Sequence, residues 1–338
     1  MPGGEDTINT VVCNTPELGP SSLQRLRHRE YDNSVRDLLG LELSPGESFA
    51  PDNQVGLFDN TASAQTVSVL LAEQYVGAAE ELALAADVDG LLGCSPDGAA
   101  GATCVGDFVA RFGRRAFRRP LSDDERDRLL ALHAEVSAAS DSRMGVRGVI
   151  TAVLSSPNFL FRPEFGMDAA PVPDGKRLTS YELAARLASL LWASVPDEAL
   201  LEAAATDAIQ EPSELEAQTR RMLADPRARA AMADFYDQWF GLDALESATK
   251  DPGEYPSFTE SLRDAMGEET RRYVDHVLWE DDARLATLLT APYSFVNDEL
   301  AEHYGLDAGC AGAAAPAPTA LAWDDASTFW SPAPDGPA

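Results

Sequence analysis

The 338-residue chain carries 56 acidic side chains against 26 basic ones, which gives a formal net charge of -30. Binding to phosphate requires clustered lysines and arginines, so this balance argues against nucleic acid as a partner. No apolar run of about twenty residues occurs, and no transmembrane helix is therefore expected. Residues 1–20 show no basic region followed by an apolar core, so no signal peptide is visible.

Helix signals follow one another along the chain. Pairs of the S/T-x-x-E type predict capping boxes, in which hydroxyl and glutamate each accept a backbone N–H. They are Ser122 with Glu125, Thr179 with Glu182, Ser213 with Glu216, and Ser257 with Glu260. Asp225 followed by Pro226 predicts another start, because proline at the first helical position loses no hydrogen bond. The alternation typical of strands is essentially missing.

The sequence therefore predicts an all-α protein, a multi-helix orthogonal bundle array with little or no β-sheet. Helices are predicted over residues 22–39, 66–86, 105–117, 122–139, 143–155, 179–193, 197–206, 213–224, 227–240, 257–280, 283–290 and 297–304. Irregular stretches are predicted at residues 43–63, 93–104 and 162–177. From residue 307 the chain is rich in alanine and proline, and this tail is predicted to be disordered.

Four cysteines are Cys13, Cys94, Cys104 and Cys310. Cys94 and Cys104 flank the flexible stretch SPDGAAGAT, which favours a local disulfide contributing about 2.5–3 kcal/mol and implies an oxidising compartment. Two unrelated thiols at the edges of a loop are the alternative. Cys13 and Cys310 lie near the two ends and could pair or stay free. No CxxC or CxxCH motif occurs, so neither a thiol-redox motif nor covalent haem attachment is encoded.

The stretch HREYDNSVRDLLG, residues 28–40, concentrates charged side chains and raises the question of a catalytic cluster. On a helix its apolar residues share one face: Tyr31, Val35, Leu38 and Leu39. Asp32 is spaced to pair with Arg36, and Arg29 with Asp32, on the exposed side. Gly40 is placed to end the helix. The pattern thus predicts a solvated charged face rather than a catalytic site.

Extended to LRHREYDNSVRDLLG, this stretch closely resembles the opening of planctomycete secreted domain (PSD) modules. Further stretches resemble the same family, in family order, over about residues 21–306. They are GLFDNTASAQTVSVLLAEQYVGAAEEL, FVARFGRRAFRRPLSDDERDRLLAL, GVITAVLSSPNFLFRPE, LTSYELAARLASLLWASVPDEALLEAA, MLADPRARAAMADFYDQWFGLDALE and TAPYSFVNDELAEHYGL. The resemblance implies an N-terminal leader, three helical modules and a tail, over residues 1–20, 21–92, 104–166, 175–306 and 307–338.

Such modules are helical domains of unknown function in large extracytoplasmic proteins of planctomycetes and myxobacteria, often fused to or encoded near c-type cytochromes. The resemblance therefore implies an extracytoplasmic location and a cytochrome-linked setting, but no catalytic residue. After EHYGL the family normally continues into further modules, whereas this chain continues into Ala/Pro-rich sequence. We therefore expect it to be a piece of a longer protein.

One loop offers oxygen ligands for a cation. Asp52, Asn53, Asp59 and Asn60 in FAPDNQVGLFDN suit Ca²⁺, although their spacing is not that of an EF-hand. Asn and Asp also cap turns and helices through their own backbone, which is the alternative. The neighbouring apolar side chains are predicted to attach the loop to the core: Phe49, Leu57 and Phe58. Apart from this low-ranked Ca²⁺ site, no cofactor motif is encoded.

Three other residue groups have structural explanations. Five arginines in RFGRRAFRRP form the only basic cluster; they could bind an anion but are predicted to pair with carboxylates, in particular those at 123–125. Four histidines occur without an HExxH or di-iron spacing, so no metal ligand is predicted among them. Trp192, Trp239 and Trp279 lie in apolar helical faces and are predicted to pack in the core, with stacking on sugar rings as the alternative.

Three functional hypotheses result. The first is a non-catalytic, extracytoplasmic helical scaffold or interaction protein. The second is a component that binds or degrades polysaccharide, with Trp239 and the loop residues Asp52, Asn53, Asp59 and Asn60 as ligand-binding candidates. The third is a partner of a c-type cytochrome, since cytochromes c are commonly basic and this chain is strongly acidic.

Overall fold

A computed structural model describes residues 23–172, 175–306 and 328–330. Within those residues it contains fifteen α-helices and only short strands, so the predicted all-α class is confirmed. The helices are α1 His28–Leu39, α2 Val69–Ala85, α3 Val88–Leu92, α4 Gly101–Ala116, α5 Asp123–Ala139, α6 Ser142–Leu154, α7 Pro157–Leu160, α8 Ser180–Trp192, α9 Glu198–Ala205, α10 Pro212–Leu223, α11 Pro226–Phe240, α12 Leu242–Glu246, α13 Glu260–Trp279, α14 Leu285–Thr290 and α15 Asp298–Tyr304.

The strands form three antiparallel pairs. β1 Gln24–Arg25 pairs with β2 Phe161–Arg162, β3 Met167–Val172 with β4 Gly175–Arg177, and β5 Ser294–Val296 with β6 Thr328–Trp330. The first pair joins the beginning of the described chain to the end of α7. Single 3₁₀ turns cover Pro45–Ser48 and Ala208–Gln210.

Helices α1 to α7 surround one continuous apolar core that runs from Leu26 to Leu160 and also takes in Val195. Tyr31 on α1 is fully buried at its centre, with its ring 5.4 Å from Phe49, 5.5 Å from Tyr75 and 5.6 Å from Phe159. The predicted apolar face of the HREYDNSVRDLLG stretch is thus confirmed. Gly40 ends α1 in the left-handed conformation, at φ 70°.

Helices α8 to α15 bury their apolar side chains in three smaller clusters. One surrounds Trp192 and Ile209 between α8, α9, α10 and α11. A second joins Leu262 on α13 to Leu300 on α15, and a third surrounds Val277 further along α13. We call helices α8 to α15 the third part of the molecule. Residues of α13 contribute to all three of its clusters, so this part has no single continuous core.

Two of the four predicted capping boxes are confirmed, at Ser122 and at Thr179, and Asp225 caps α11 as predicted. The other two are wrong. α10 begins at Pro212, one residue before the predicted serine cap, because proline already has the dihedral angle of a first helical residue. In α13 it is Thr259, not Ser257, whose side chain accepts the backbone N–H of Leu262.

The predicted first helix began too early, because residues 24 and 25 pair with β2 before α1 starts at His28. Helices α3, α7 and α12 were not predicted; each has only four or five residues and carries little periodic signal. In the predicted disordered tail, residues 328–330 form strand β6 against β5, since β5 offers an edge with free backbone groups.

The disulfide between Cys94 and Cys104 is present, with the two Cα atoms 5.9 Å apart, and connects α3 to α4. Cys13, Cys310, the leader at 1–20 and most of the tail at 307–338 lie outside the described residues. Among the residues that the structure does describe, every helix is too short or too polar to cross a lipid bilayer.

Candidate functional site

Several charged and polar side chains of α1 face helices α8 and α11. We call this contact between α1 and the helices α8 and α11 the polar junction. Glu30, Asn33 and Asp37 recur every three or four residues along α1, so they share a face. Their partners come from chain about 160 to 190 residues further on, as the contacts below show.

Arg27 lies at the start of the polar junction. One of its terminal nitrogens donates to Asp59 at 2.9 Å and to Asp234 on α11 at 2.9 Å. Burial opposes its positive charge, but Glu30, Asp59 and Asp234 outweigh burial and raise the pKa of the guanidinium. Arg27 thus ties α1, the loop after it and α11 together as a permanently charged group.

Besides Asn33, which donates to the Ala193 carbonyl at 3.2 Å, Glu30 and Asp37 make contacts across the polar junction. Glu30 accepts from the Ser189 hydroxyl at 2.8 Å, and its other oxygen accepts the backbone N–H of Arg27 at 2.9 Å. Asp37 accepts from the Ser194 hydroxyl at 2.7 Å and from Arg227 at 2.9 Å. Each carboxylate is therefore occupied on the side that faces the third part.

Behind Asp37, Arg227 lies on the ring of Trp192. The guanidinium carbon is 3.5 Å from the ring centroid, and the same side chain also donates to both oxygens of Asp225. Trp192 is fully buried, and its indole N–H donates to the Met222 carbonyl at 3.0 Å. Core packing of Trp192 is thus confirmed, and the cation–π contact extends the polar junction into the core of the third part.

The prediction of a solvated charged face on α1 is wrong for most of these residues. Glu30 is only 8% exposed, and Arg29, expected to pair with Asp32, donates to Asp234 on α11 at 2.9 Å. The predicted pair of Asp32 and Arg36 is also not what forms, because Asp32 accepts the backbone N–H of Gly46 at 2.9 Å. These partners are distant in sequence, so helical spacing could not reveal them.

Asp32 lies in an open polar groove of about 450 Å³ on the other side of α1, together with His28, Arg36, Glu42 and others. A Cβ on Gly46 would meet Asp32 Oδ2 at 2.7 Å, so only glycine allows the turn to approach this closely. Burial of the Asp32 carboxyl raises its pKa to about 6, although the Gly46 N–H acts in the opposite direction. The carboxyl thus holds the turn in place.

The loop proposed for Ca²⁺ is attached by ion pairs to the segment that leads into α1. The buried Arg25 donates to Asp52, which also accepts the His28 backbone N–H at 2.8 Å. Asp59 accepts from Arg27, as described above. Asn53 donates to the Ala64 carbonyl at 2.8 Å, and Asn60 is exposed. Both carboxylates thus accept from arginines. Ca²⁺ binding stays a prediction.

The same loop meets α11 and forms an exposed apolar surface with it. The rings of Phe58 and Phe235 are stacked, with their centroids 5.6 Å apart. The ring centroids of Phe235 and Trp239 are 6.0 Å apart, and those of Trp239 and Phe240 are 5.3 Å apart. Leu57 lies 3.8 Å from the point that a Cβ of Gly241 would occupy. We call these residues the aromatic patch: Leu57, Phe58, Phe235, Trp239 and Phe240.

The aromatic patch remains open to solvent. Leu57 is 50% exposed, Phe235 44% and Phe240 38%, whereas Phe58 and Trp239 are partly buried. The prediction that Leu57 attaches the loop to the core is therefore wrong, since its side chain is half exposed and meets the end of α11. Phe49 does pack in the core as predicted. The Asp59 N–H donates to the side-chain oxygen of Gln238 at 3.1 Å, so the structure brings the predicted Asp59 and Trp239 segments together.

The other candidates have structural partners. Arg119 donates to both oxygens of Glu125 at 2.8 Å, which confirms the predicted pairing there and lowers the pKa of Glu125 to about 2. In the part of the chain that the structure describes, no three His, Cys, Asp or Glu side chains come together as a metal site would need.

Sequence reasoning missed Phe235, Phe240 and Leu57 as site residues. One signal was available: FYDQWF places four aromatic residues within six positions of α11, more than one buried face of a helix can hold. The contribution of Leu57 had no comparable signal, because it depends on where the loop meets α11 in space.

Family models of known proteins match three segments of the chain. Three family models match in order along it, each described as a protein of unknown function: PSD3 (DUF1587) over residues 24–88, PSD5 (DUF1595) over 104–164 and PSD4 (DUF1592) over 178–306. Searches of the curated proteins and of the solved structures found no match.

Proposed function

The chain belongs to the planctomycete secreted domain family of unknown function, and we propose that it acts as an extracytoplasmic helical scaffold that binds a basic partner protein through the aromatic patch. The single observation that carries this proposal is an exposed aromatic surface built from two distant segments of the chain. Contiguous exposed apolar surface is uncommon on soluble proteins and commonly marks an interaction site.

The polar junction supports a binding role rather than a catalytic one. Its charged groups are paired with each other across the segments, which fixes the loop at Leu57 and Phe58 against α11. Aromatic side chains held on a rigid base contribute strongly to binding, because they lose little conformational freedom when a partner docks. The junction then serves to present the patch.

Charge favours a basic partner. The chain has a net charge of -30, and Asp243 and Glu246 lie on α12 directly after the patch. A partner with positive charge around an apolar centre, as in many c-type cytochromes, complements this surface. The disulfide supports an oxidising compartment, which agrees with the extracytoplasmic setting of the family.

The test is binding of the purified chain to a basic c-type cytochrome by calorimetry, with an acidic c-type cytochrome as the control partner. We expect binding of the basic protein only, weakening as ionic strength rises. Phe235→Ala should weaken it about tenfold or more, because it truncates an exposed anchor at the centre of the patch.

The matched control is Leu190→Ser on α8, where the side chain is 63% exposed and outside the patch. It should leave the affinity unchanged. Equal weakening by Phe235→Ala and Leu190→Ser would contradict the role of the patch. Absence of binding to the basic cytochrome in low salt would reject this partner class.

A second candidate function is polysaccharide binding on the same patch. It is favoured by one observation, the meeting of the Asp59 loop with the helix that bears Trp239. A glycan ligand should raise the melting temperature of the purified chain, and Phe235→Ala should abolish that rise. A panel of neutral and acidic glycans that leaves the melting temperature unchanged would exclude this candidate.

A further inference from the structure

α2 presents a second exposed surface, separate from the aromatic patch. One side of this 17-residue helix packs in the core through Leu71, Tyr75 and Leu82. On the opposite side Val69 is 77% exposed and Leu84 62%. A helix of a soluble protein normally has one apolar and one polar face, so the second apolar side requires an explanation.

Glutamates alternate with the apolar residues on this side. Val69, Glu73, Val76, Glu80 and Leu84 follow one another at spacings of three and four, so they form one stripe along the helix. Val76 is 46% exposed, and both glutamates are exposed. We call these five residues the α2 stripe.

The charge of the α2 stripe is not compensated within the described chain. α2 contains no lysine, arginine or histidine. Across residues 23–172 and 175–306, no basic side chain forms an ion pair with Glu73 or Glu80. This differs from the polar junction, where Glu30 has a hydroxyl partner and Asp37 an arginine.

We propose that the α2 stripe binds a basic amphipathic helix of another protein. Apolar side chains of that helix would cover Val69, Val76 and Leu84, and its lysines or arginines would pair with the glutamates between them. A second copy of this chain is a poor occupant, because either orientation of two α2 helices brings glutamates against glutamates. The positive charge of the partner is therefore the distinguishing requirement.

The probe is a synthetic peptide of the same length as α2, with leucine and lysine alternating at spacings of three and four. The control peptide has glutamate at each lysine position. Calorimetry with the full chain should show binding of the lysine peptide alone. Raising the salt concentration from about 0.02 M to about 0.5 M should weaken it about tenfold or more, since the pairs are exposed.

Two double variants locate the site on the full chain. One combines Glu73→Lys with Glu80→Lys, and the other combines Val69→Ser with Leu84→Ser. Each should weaken the affinity for the lysine peptide about tenfold or more. The matched control is Asp107→Lys with Glu135→Lys, the same change of charge at exposed positions on α4 and α5. It should keep the affinity within about twofold of the unchanged chain.

Three results would overturn the proposal. The first is that the lysine peptide does not bind in low salt. The second is that the control pair on α4 and α5 weakens binding as much as the α2 pair does, which would mean non-specific attraction. The third is that sedimentation shows a dimer that Val69→Ser with Leu84→Ser dissociates. Circular dichroism checks that each variant is folded. None of these variants lies in the aromatic patch, so this test and the cytochrome test fail independently.

Discussion

The two parts of the molecule bury their apolar side chains in different ways. Helices α1 to α7 share one continuous core, and a disulfide connects two of them. Helices α8 to α15 have three separate clusters. Two ion pairs connect α11 to α13: Arg229 with Asp275, and Arg271 with Asp237. We therefore expect the N-terminal part to be stabilised mainly by buried apolar area. The third part depends more on ion pairs and on the polar junction.

A matched pair of leucines tests this difference most strongly. Leu154 lies in the continuous core and Leu300 in a cluster of only four buried residues, and both are fully buried. Leu154→Ala should lower the free energy of unfolding by about 4 kcal/mol, because a surrounded cavity cannot collapse. Leu300→Ala should cost about 2.5 kcal/mol. Urea denaturation measures both, and equal losses would contradict the comparison.

The polar junction should show the next largest effect. Glu30→Ala leaves Arg162, 3.9 Å from the carboxylate, without that partner and removes the contact with Ser189. We expect a loss of about 3 kcal/mol, in the range for breaking a buried ion pair. Unfolding followed by both tryptophan fluorescence and circular dichroism should change from one transition to two. A single transition with unchanged midpoint would show that the junction does not couple the parts.

Removal of the disulfide affects the N-terminal part alone. Replacing Cys94 and Cys104 by serine opens a loop with a sequence separation of 10. The unfolded chain then gains freedom, and the free energy of unfolding should fall by about 2.5–3 kcal/mol. Reductant should destabilise the unchanged chain by the same amount and leave the double variant unaffected. Sensitivity of the double variant to reductant would assign the effect to other thiols.

An ion pair of the third part should have a smaller effect. Asp275→Asn removes the charge that pairs with Arg229, whose side chain is 33% exposed. Partial exposure limits the expected loss to about 1 kcal/mol, and the loss should shrink in high salt because ions screen such pairs. The control Asp264→Asn affects a more exposed pair, with the carboxylate 62% exposed, and should change nothing measurable.

The smallest expected change is a gain. The folded pKa of Asp32 is about 6, raised above its ordinary value of 3.8 by burial. Folding therefore favours the protonated carboxyl, and stability falls as the pH rises through this interval. Asp32→Asn stays neutral and keeps an oxygen for the Gly46 N–H, so it should be about 1 kcal/mol more stable at pH 7 and equal at about pH 3. Asp123→Asn, at an 88% exposed carboxylate, is the control. A destabilised Asp32→Asn would mean that the charge itself holds the turn.

Local sequence patterns were sufficient for most of the fold. The apolar face of α1, its end at Gly40, the caps at Ser122 and Thr179 and the disulfide all depend on residues close together in the chain. The caps of α10 and α13 each lie two residues from the predicted serine. In α10, Pro212 takes the first helical position, and in α13, Thr259 supplies the capping hydroxyl.

The candidate site could be predicted only in pieces. Asp59 and Trp239 were both chosen as ligand-binding candidates, yet nothing in their spacing shows that their segments meet. The charges of α1 were misassigned to solvent for the same reason. A helical repeat tells which residues share a face but not what that face contacts, and here the partner is on α8 and α11.

The polar junction can form only late in the synthesis of the chain. Glu30 meets Ser189 only after 159 more residues have been made. During that interval the N-terminal part can form its core from Leu26 to Leu160, which lacks only Val195. The charged face of α1 meanwhile stays in water, where charged groups are at no disadvantage. An apolar face of the same size would adhere to other nascent chains in the meantime. The α1 face of the polar junction therefore does not promote aggregation before α8 and α11 have been translated.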